Sequence, residues 1–160
     1  MTNDMVQFDS SNDRFLMCTR GITLDKGRVL LFNVIGWDWW ALPGGRVEIR
    51  EKSEDTLIRE MQEELNTAVK VGRLVWIVEN FFKEKERSYH EIGMYYLMGL
   101  PVGSAIVSSQ EYTSKDGPVT LRFRWFSVSE LEQVNLRPSF LKKALQNLPE
   151  QIEHIVWNDD

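Results

Sequence analysis

One stretch limits what this chain can become: Ser53 to Leu65, SEDTLIREMQEEL, a long helical pattern set among segments that read as strands. Leu57, Ile58, Met61 and Leu65 recur at the three- and four-residue spacing that gathers side chains on one helical face. A helix with an apolar stripe must bury it, and the strand-like segments around it make a sheet the available partner. Ser53 is placed to cap the first turn, and Glu54 and Asp55 complement the positive end of the helix dipole. Just upstream, the apolar run Trp39 to Leu42 is stopped by Pro43-Gly44-Gly45, a backbone breaker ahead of the helix.

The flanking pattern is mostly strand. Phe15 to Leu24 is apolar and β-branched, Asp25-Lys26-Gly27 is a turn signal, and Arg28 to Val34 is expected as its hairpin partner. Val69 to Phe82 and Tyr89 to Leu100 are expected to pair across the charged turn Lys83–Arg87. Val119 to Val128 alternates, with Leu121, Phe123 and Trp125 facing one way and Arg122 and Arg124 the other. A short helical piece follows Ser127-Val128-Ser129-Glu130, and Pro138 to Leu148 reads as a second helix with proline in its first turn. Residues 1–12 are expected as a loose leader and 149–160 as a tail of unassigned structure. The chain of 160 residues shows no repeat or linker and reads as one α/β domain with a mixed sheet.

Charge and cysteine usage narrow the function classes. The net charge of −5 disfavours general binding to a nucleic-acid polymer. An anionic small molecule would need a local cation. No run approaches the ~20 apolar residues of a membrane span, and the start of the chain lacks the basic and apolar parts of a signal peptide. The single cysteine, Cys18, lies among Phe15, Leu16 and Met17 and reads as a small core residue; a chain without disulfides suits the cytoplasm.

Glu60, Glu63 and Glu64 stand at i, i+3 and i+4, neighbours on the helix surface. Like charges so placed destabilise a helix by roughly 0.2–0.5 kcal/mol per pair. Two readings remain open from spacing alone: a solvated acidic face, or a carboxylate cluster for a hard cation such as Mg²⁺. By helical angle Glu63 points away from the apolar stripe, with Glu60 and Glu64 between. Gly44 and Gly45 allow close backbone approach to a ligand, and Arg59 can orient a carboxylate.

Gly45, Glu51, Arg59, Glu60, Met61, Glu63 and Glu64 together fit G-x5-E-x7-R-E-U-x-E-E-x-G-U, and this segment resembles the Nudix box. The run Trp40-Ala41-Leu42-Pro43-Gly44 resembles the family's approach to the box, and the resemblance extends over about residues 13–148. Asn66 stands where glycine is usual and Thr67 where an aliphatic is usual. Asparagine can end a helix in the left-handed conformation as glycine does, and Thr67 can begin a strand.

The resemblance implies a Nudix fold, an α/β/α sandwich with a mixed sheet. It implies metal-dependent hydrolysis of a phosphoanhydride in a nucleoside diphosphate linked to another moiety, a nucleoside triphosphate or nucleotide sugar among the candidates. Glu60, Glu63, Glu64 and the Gly44 carbonyl are the implied ligands of Mg²⁺ or Mn²⁺; Glu63, Glu64, Arg59 and Glu51 are the implied catalytic set, with Arg59 expected to orient Glu63. Gly45, Arg20 and Glu91 are expected to meet substrate. Glu91 and Glu111 are candidate bases outside the box, as are His90 and His154 by residue type; Trp37, Trp39, Trp40, Phe81 and Phe82 are candidate stacking surfaces, and Arg28 a candidate phosphate contact. No Ser-Gln-Pro-Trp run follows the box, which favours a small MutT-like pyrophosphatase. The expected partner is a small nucleotide derivative rather than a nucleic acid or a membrane, and the chain is expected as a monomer or homodimer. Two rivals share the fold: a nucleotide-sensing module without catalysis, and an isoprenoid diphosphate isomerase for which Cys18 stands too early.

Overall fold

A computed structural model describes residues 4–159. In chain order the elements are β1 (Gln7–Ser10), β2 (Asp13–Ile22), β3 (Leu24–Asp25), β4 (Arg28–Val34), β5 (Gly44–Arg46), α1 (Ser53–Leu65), β6 (Lys70–Glu84) and β7 (Arg87–Gly99). There follow α2 (Ala105–Ser108), β8 (Glu111–Asp116), β9 (Val119–Ser127), a 3-10 turn (Val128–Gln133), α3 (Leu141–Ala144) and β10 (Glu153–Asn158). One sheet is mixed, ordered β1-β2-β7-β6-β10 with β5 also on β2; the second is antiparallel, ordered β3-β4-β9-β8. The mixed character comes from β2 running parallel to β7 and β10 parallel to β6.

Strand alternation sends neighbouring side chains into two separate cores. Tyr95 packs with Trp76, Val78, Phe140 and Leu141, whereas the next residue, Tyr96, packs with Leu57, Met61 and Leu65 of α1. The mixed sheet is thus covered by α1 on one face and by α3 with the 3-10 turn on the other, an α/β/α sandwich. Leu30 and Leu31 divide between the same two cores. Full burial of Leu57 and Met61 stabilises the α1 docking by roughly 1.5–3 kcal/mol per side chain.

Several expectations need correction. Arg28–Val34 is a strand after a turn at Lys26 and Gly27, and the expected hairpin forms only at β3, where Leu24 pairs with Val29 and Asp25 with Arg28; beyond that β4 pairs along its length with β9 in the other sheet, and β2 pairs with β7. The chain changes sheets at buried Thr23, whose hydroxyl donates to the Met98 carbonyl at 2.8 Å. A local turn signal cannot show that the strand before it already has a distant parallel partner. The loose leader contains β1, paired with β2 and tied by the Arg14–Asp9 ion pair at 2.6 Å, and the tail contains β10. Residues 1–3 and 160 of those two segments lie outside the described residues.

The second helix shrinks to the four residues of α3, because the turns around it mix i→i−3 with i→i−4 bonds. Ser53 does not cap α1: Lys52 is the N-cap, and the Ser53 hydroxyl pairs with that of Tyr96 at 2.7 Å. Ile58 lies off the buried stripe and is exposed. Asn66 ends α1 in the left-handed conformation, φ 47° and ψ 42°, as its place in the box predicts.

Candidate active site

Strand β5 lays the glycine loop against β2, with Gly44 opposite Arg20 and Gly45 opposite Thr19. Gly44 has φ +153°, and a Cβ there would stand 2.0 Å from the Thr19 carbonyl oxygen. A Cβ on Gly45 would stand 2.1 Å from the Glu60 carboxylate carbon. Gly44 therefore requires glycine, whereas at Gly45 a side chain would displace the Glu60 carboxyl that presses into the space.

Arg59 gathers the carboxylates of the box. Its Nε and Nη2 donate to the two oxygens of Glu51 at 2.8 and 3.0 Å, its Nη1 donates to Glu60 at 2.9 Å and to Glu63 at 3.4 Å, and Nη2 also reaches the Arg46 carbonyl at 3.2 Å. The expectation that Arg59 orients Glu63 is met only by the longest of these; the bidentate fork is spent on Glu51. Glu51 also accepts from the Thr56 hydroxyl at 2.7 Å and the Glu48 amide at 3.1 Å. Hydrogen bonds from Arg59 and Thr56 hold its carboxyl down at about 2.

The other box carboxylates are displaced in the opposite sense. Burial, then the charge on Glu63, pushes Glu60 above the ordinary carboxylate range against the pull of Arg59. Burial, then the charges on Glu60 and Asp116, pushes Glu64 up to about 8. Oε2 of Glu64 is buried without a hydrogen-bond partner. Glu64 is buried because it is seven residues, almost two full turns, from Leu57. Glu63 is the exposed member of the three.

Among the described residues no three His, Cys, Asp or Glu side chains stand in an ion-coordinating arrangement, since Glu60 and Glu63 are turned onto Arg59. The chemistry of the donors nevertheless fits a hard divalent cation. Glu64, buried with an unpartnered oxygen, and partly buried Glu60, which presses on Gly45, disfavour each other's charge.

Gly45 and Arg20 also line a cavity of about 460 Å³ on the sheet face opposite α1. Arg20 lies 3.4 Å from buried Glu91, so these two expected substrate residues form one pair on its floor. Trp37 and Trp39 stack at 4.2 Å on its wall, with Arg137 over Trp39 at 5.4 Å, and Phe82 stacks on Tyr89 at 4.8 Å. Trp40 packs on Phe126 and Phe81 on His90, both away from this cavity. Cys18 lies on the floor with its thiol pushed up by burial, which removes it as a nucleophile.

Other sequence candidates fall elsewhere. Glu111 begins β8 opposite Arg124 rather than lying in a loop. His154 binds Glu79 at 2.8 Å, and His90 lies 3.9 Å from the same carboxylate, with no place in the cavity wall. Arg28 is paired with Asp25 at 2.8 Å and covers the Trp125 ring. The sequence reading missed Asn80, Tyr89, Asn135, Arg137 and Asp159 in the wall. Asn80 had a signal: it interrupts the inward series Trp76, Val78, Phe82 of β6 with a polar side chain.

The NUDIX domain model matches residues 13–148, and the chain belongs to this family. It is a Nudix hydrolase, of an enzyme class that acts on acid anhydrides in phosphorus-containing compounds and generally needs divalent metal ions. Its fold is similar to that of a UDP-X diphosphatase (TM-score 0.59, 20% identity, 88% of this chain and 66% of that one). It is likewise similar to a mutator MutT protein from Bacillus halodurans (0.58, 17%, 89% of each chain). An ADP-ribose pyrophosphatase from Streptococcus suis is a third (0.52, 18%, 89% and 98%). At such identities the likeness is one of fold. No curated protein gives a significant match. Among the described residues no helix is long and apolar enough to cross a membrane.

Proposed function

We propose that the chain hydrolyses a phosphoanhydride bond in a nucleoside diphosphate linked to another moiety, with Mg²⁺ or Mn²⁺ held by Glu60, Glu63, Glu64 and the Gly44 carbonyl. The observation that carries this reading is the unpartnered, buried Oε2 of Glu64 on the same helix face as Glu60, which presses on Gly45, a residue that also lines a cavity large enough for a nucleotide. The ion would neutralise charge on the substrate phosphates and lower the pKa of water, which a chain of net charge −5 cannot do by itself.

The chain's own residues have separable tasks. Glu51 fixes Arg59, and Arg59 fixes Glu60 and steadies Glu63. Glu63 or Glu64 accepts the proton of the attacking water. Gly45 admits the substrate's phosphates close to the backbone, Arg20 meets them with Glu91 as its counter-charge, and the Trp37–Trp39 pair offers a base a stacking face. The names of the UDP-X diphosphatase and ADP-ribose pyrophosphatase neighbours support the substrate class, and a nucleoside triphosphate or nucleotide sugar is the first choice within it. The free thiol of Cys18 suits a cytoplasmic enzyme acting on small molecules, as monomer or homodimer.

Incubation with nucleoside triphosphates, UDP-sugars and ADP-ribose, followed by chromatography of the products, tests the proposal. Cleavage of at least one compound is expected with Mg²⁺ or Mn²⁺ and is expected to stop with excess chelator. Undiminished turnover in chelator would remove the metal assignment, and no cleavage of any compound would remove the reaction.

A further inference from the structure

We propose that Arg137 is a specificity-determining residue, whose guanidinium holds an anionic group, a phosphate or a carboxylate, that the substrate carries in addition to its diphosphate. This deepens the hydrolase reading above and rests on it for the identity of the cavity.

The backbone of Arg137 is stitched to the segment that carries the stacked tryptophans. Its amide donates to the Trp40 carbonyl at 2.9 Å, and the Trp40 amide donates to the Asn135 carbonyl at 2.8 Å. Leu136, between them, is buried in the core, and the Asn135 side chain donates to the Asp38 carbonyl at 3.1 Å. The side chain of Arg137 stays exposed in the cavity wall, with its guanidinium carbon 5.4 Å from the centre of the Trp39 ring. An indole beneath one face of a guanidinium restrains it and leaves its N–H edge open. Little further order is then lost when that edge takes two oxygens of an anion.

Among the described residues no carboxylate forms an ion pair with Arg137. Lys83 and Lys142 line the same cavity and are likewise unpaired among those residues. The carboxylates of the wall are engaged elsewhere. Glu91 lies 3.4 Å from Arg20, and Asp159 accepts from the Ser139 amide at 3.0 Å and the Trp157 indole at 2.9 Å. Glu84 stands opposite Arg87 at the end of the β6–β7 hairpin. Three uncompensated cations in one cavity of a chain with net charge −5 form a local site for negative charge. The proposed reaction assigns the diphosphate to the ion, the glycine loop and Arg20. Arg137, on a separate segment, is left for a further anion, and a sugar carboxylate and a ribose phosphate share that chemistry.

The test is calorimetric binding, in metal-free buffer, of two matched pairs: UDP-glucose against UDP-glucuronate, and ADP-ribose against ADP-ribose 2′-phosphate. The parent is compared with Arg137→Gln and Arg137→Lys. The parent is expected to bind the more highly charged member of at least one pair about 10- to 100-fold more tightly. Arg137→Gln is expected to lose that preference and keep its affinity for the less charged member. Arg137→Lys is expected to restore it only in part, since an ammonium lacks the planar fork. Preference confined to UDP-glucuronate identifies a carboxylate; preference confined to ADP-ribose 2′-phosphate identifies a phosphate. Equal binding of both members by the parent, or no binding of any probe, would overturn the proposal. So would a preference that survives in Arg137→Gln, which would assign it to Lys83 and Lys142, or an equal loss of both members, which would make Arg137 a stacking surface. Turnover with Mg²⁺ separates the two readings. A parent that cleaves nucleotides without charge preference keeps the reaction and loses the role of Arg137; charge preference without cleavage keeps that role and loses the reaction.

Discussion

Glu51 shows how a residue outside the reacting set can organise it. Its two oxygens take both arms of the Arg59 fork, which leaves one guanidinium nitrogen for Glu60 and Glu63. Glu51→Gln should loosen that arrangement, reduce turnover and destabilise the fold. The carboxyl is held at about 2 against an ordinary value of 4.5. Its stabilisation is therefore complete above pH 4.5 and disappears as pH falls through about 2. The shift corresponds to about 3 kcal/mol, which solvent screening at this partly open site reduces to about 1–2 kcal/mol. Melting of parent and Glu51→Gln across pH should show a gap at neutrality that closes between those two values. A gap that persists unchanged to the acid end would assign the stabilisation to packing rather than charge.

At the scale of elements, α1 was the most legible part of the chain and its neighbours were less so. The Leu57, Met61 and Leu65 stripe gave both its extent and its buried face, and Asn66 gave its end. The first-turn cap was misread because propensity favours a free Ser53, whereas tertiary contact with Tyr96 takes its hydroxyl. The β6–β7 pair was legible from alternation on either side of a charged turn. The parallel pairings of β2 with β7 and of β10 with β6 were not, because local pattern carries no sign of a partner about 75 residues away. The left-handed Asn66 supports a definite expectation for α1. Asn66→Gly should be tolerated, and Asn66→Ala should cost about 1 kcal/mol, since alanine lacks glycine's freedom at positive φ. Chemical denaturation measures both. Equal stability of Asn66→Ala and the parent would contradict the role of asparagine at this helix end.

At the scale of the whole molecule, the box carboxylates and the cavity floor are unequally legible in the sequence. The box carboxylates were legible because Glu60, Glu63 and Glu64 fall with Gly45, Glu51 and Arg59 into the pattern of the Nudix box, where helical spacing alone left a solvated acidic face open. The cavity floor was not, because Arg20, Asn80, Glu91 and Arg137 meet only after β2, β6, β7 and the chain before α3 are folded together. If the acidic face of α1 serves chemistry at a cost to the fold, Glu64→Gln separates the two effects. The Glu64 carboxyl is raised from 4.5 to about 8, so in the metal-free protein its burial reduces stability progressively as pH rises between those values. Removing the charge should therefore raise the metal-free melting temperature at pH 8, by about 2–4 °C for each kcal/mol relieved. If Glu64 holds the ion or takes the water's proton, turnover should fall by about 10²–10⁴-fold in the same variant. The decisive measurement pairs melting without metal and turnover with Mg²⁺ for parent and Glu64→Gln at pH 8. The variant is expected to melt higher and to have lost nearly all turnover; lower melting, or retention of most of the parent's turnover, would remove Glu64 from the chemistry.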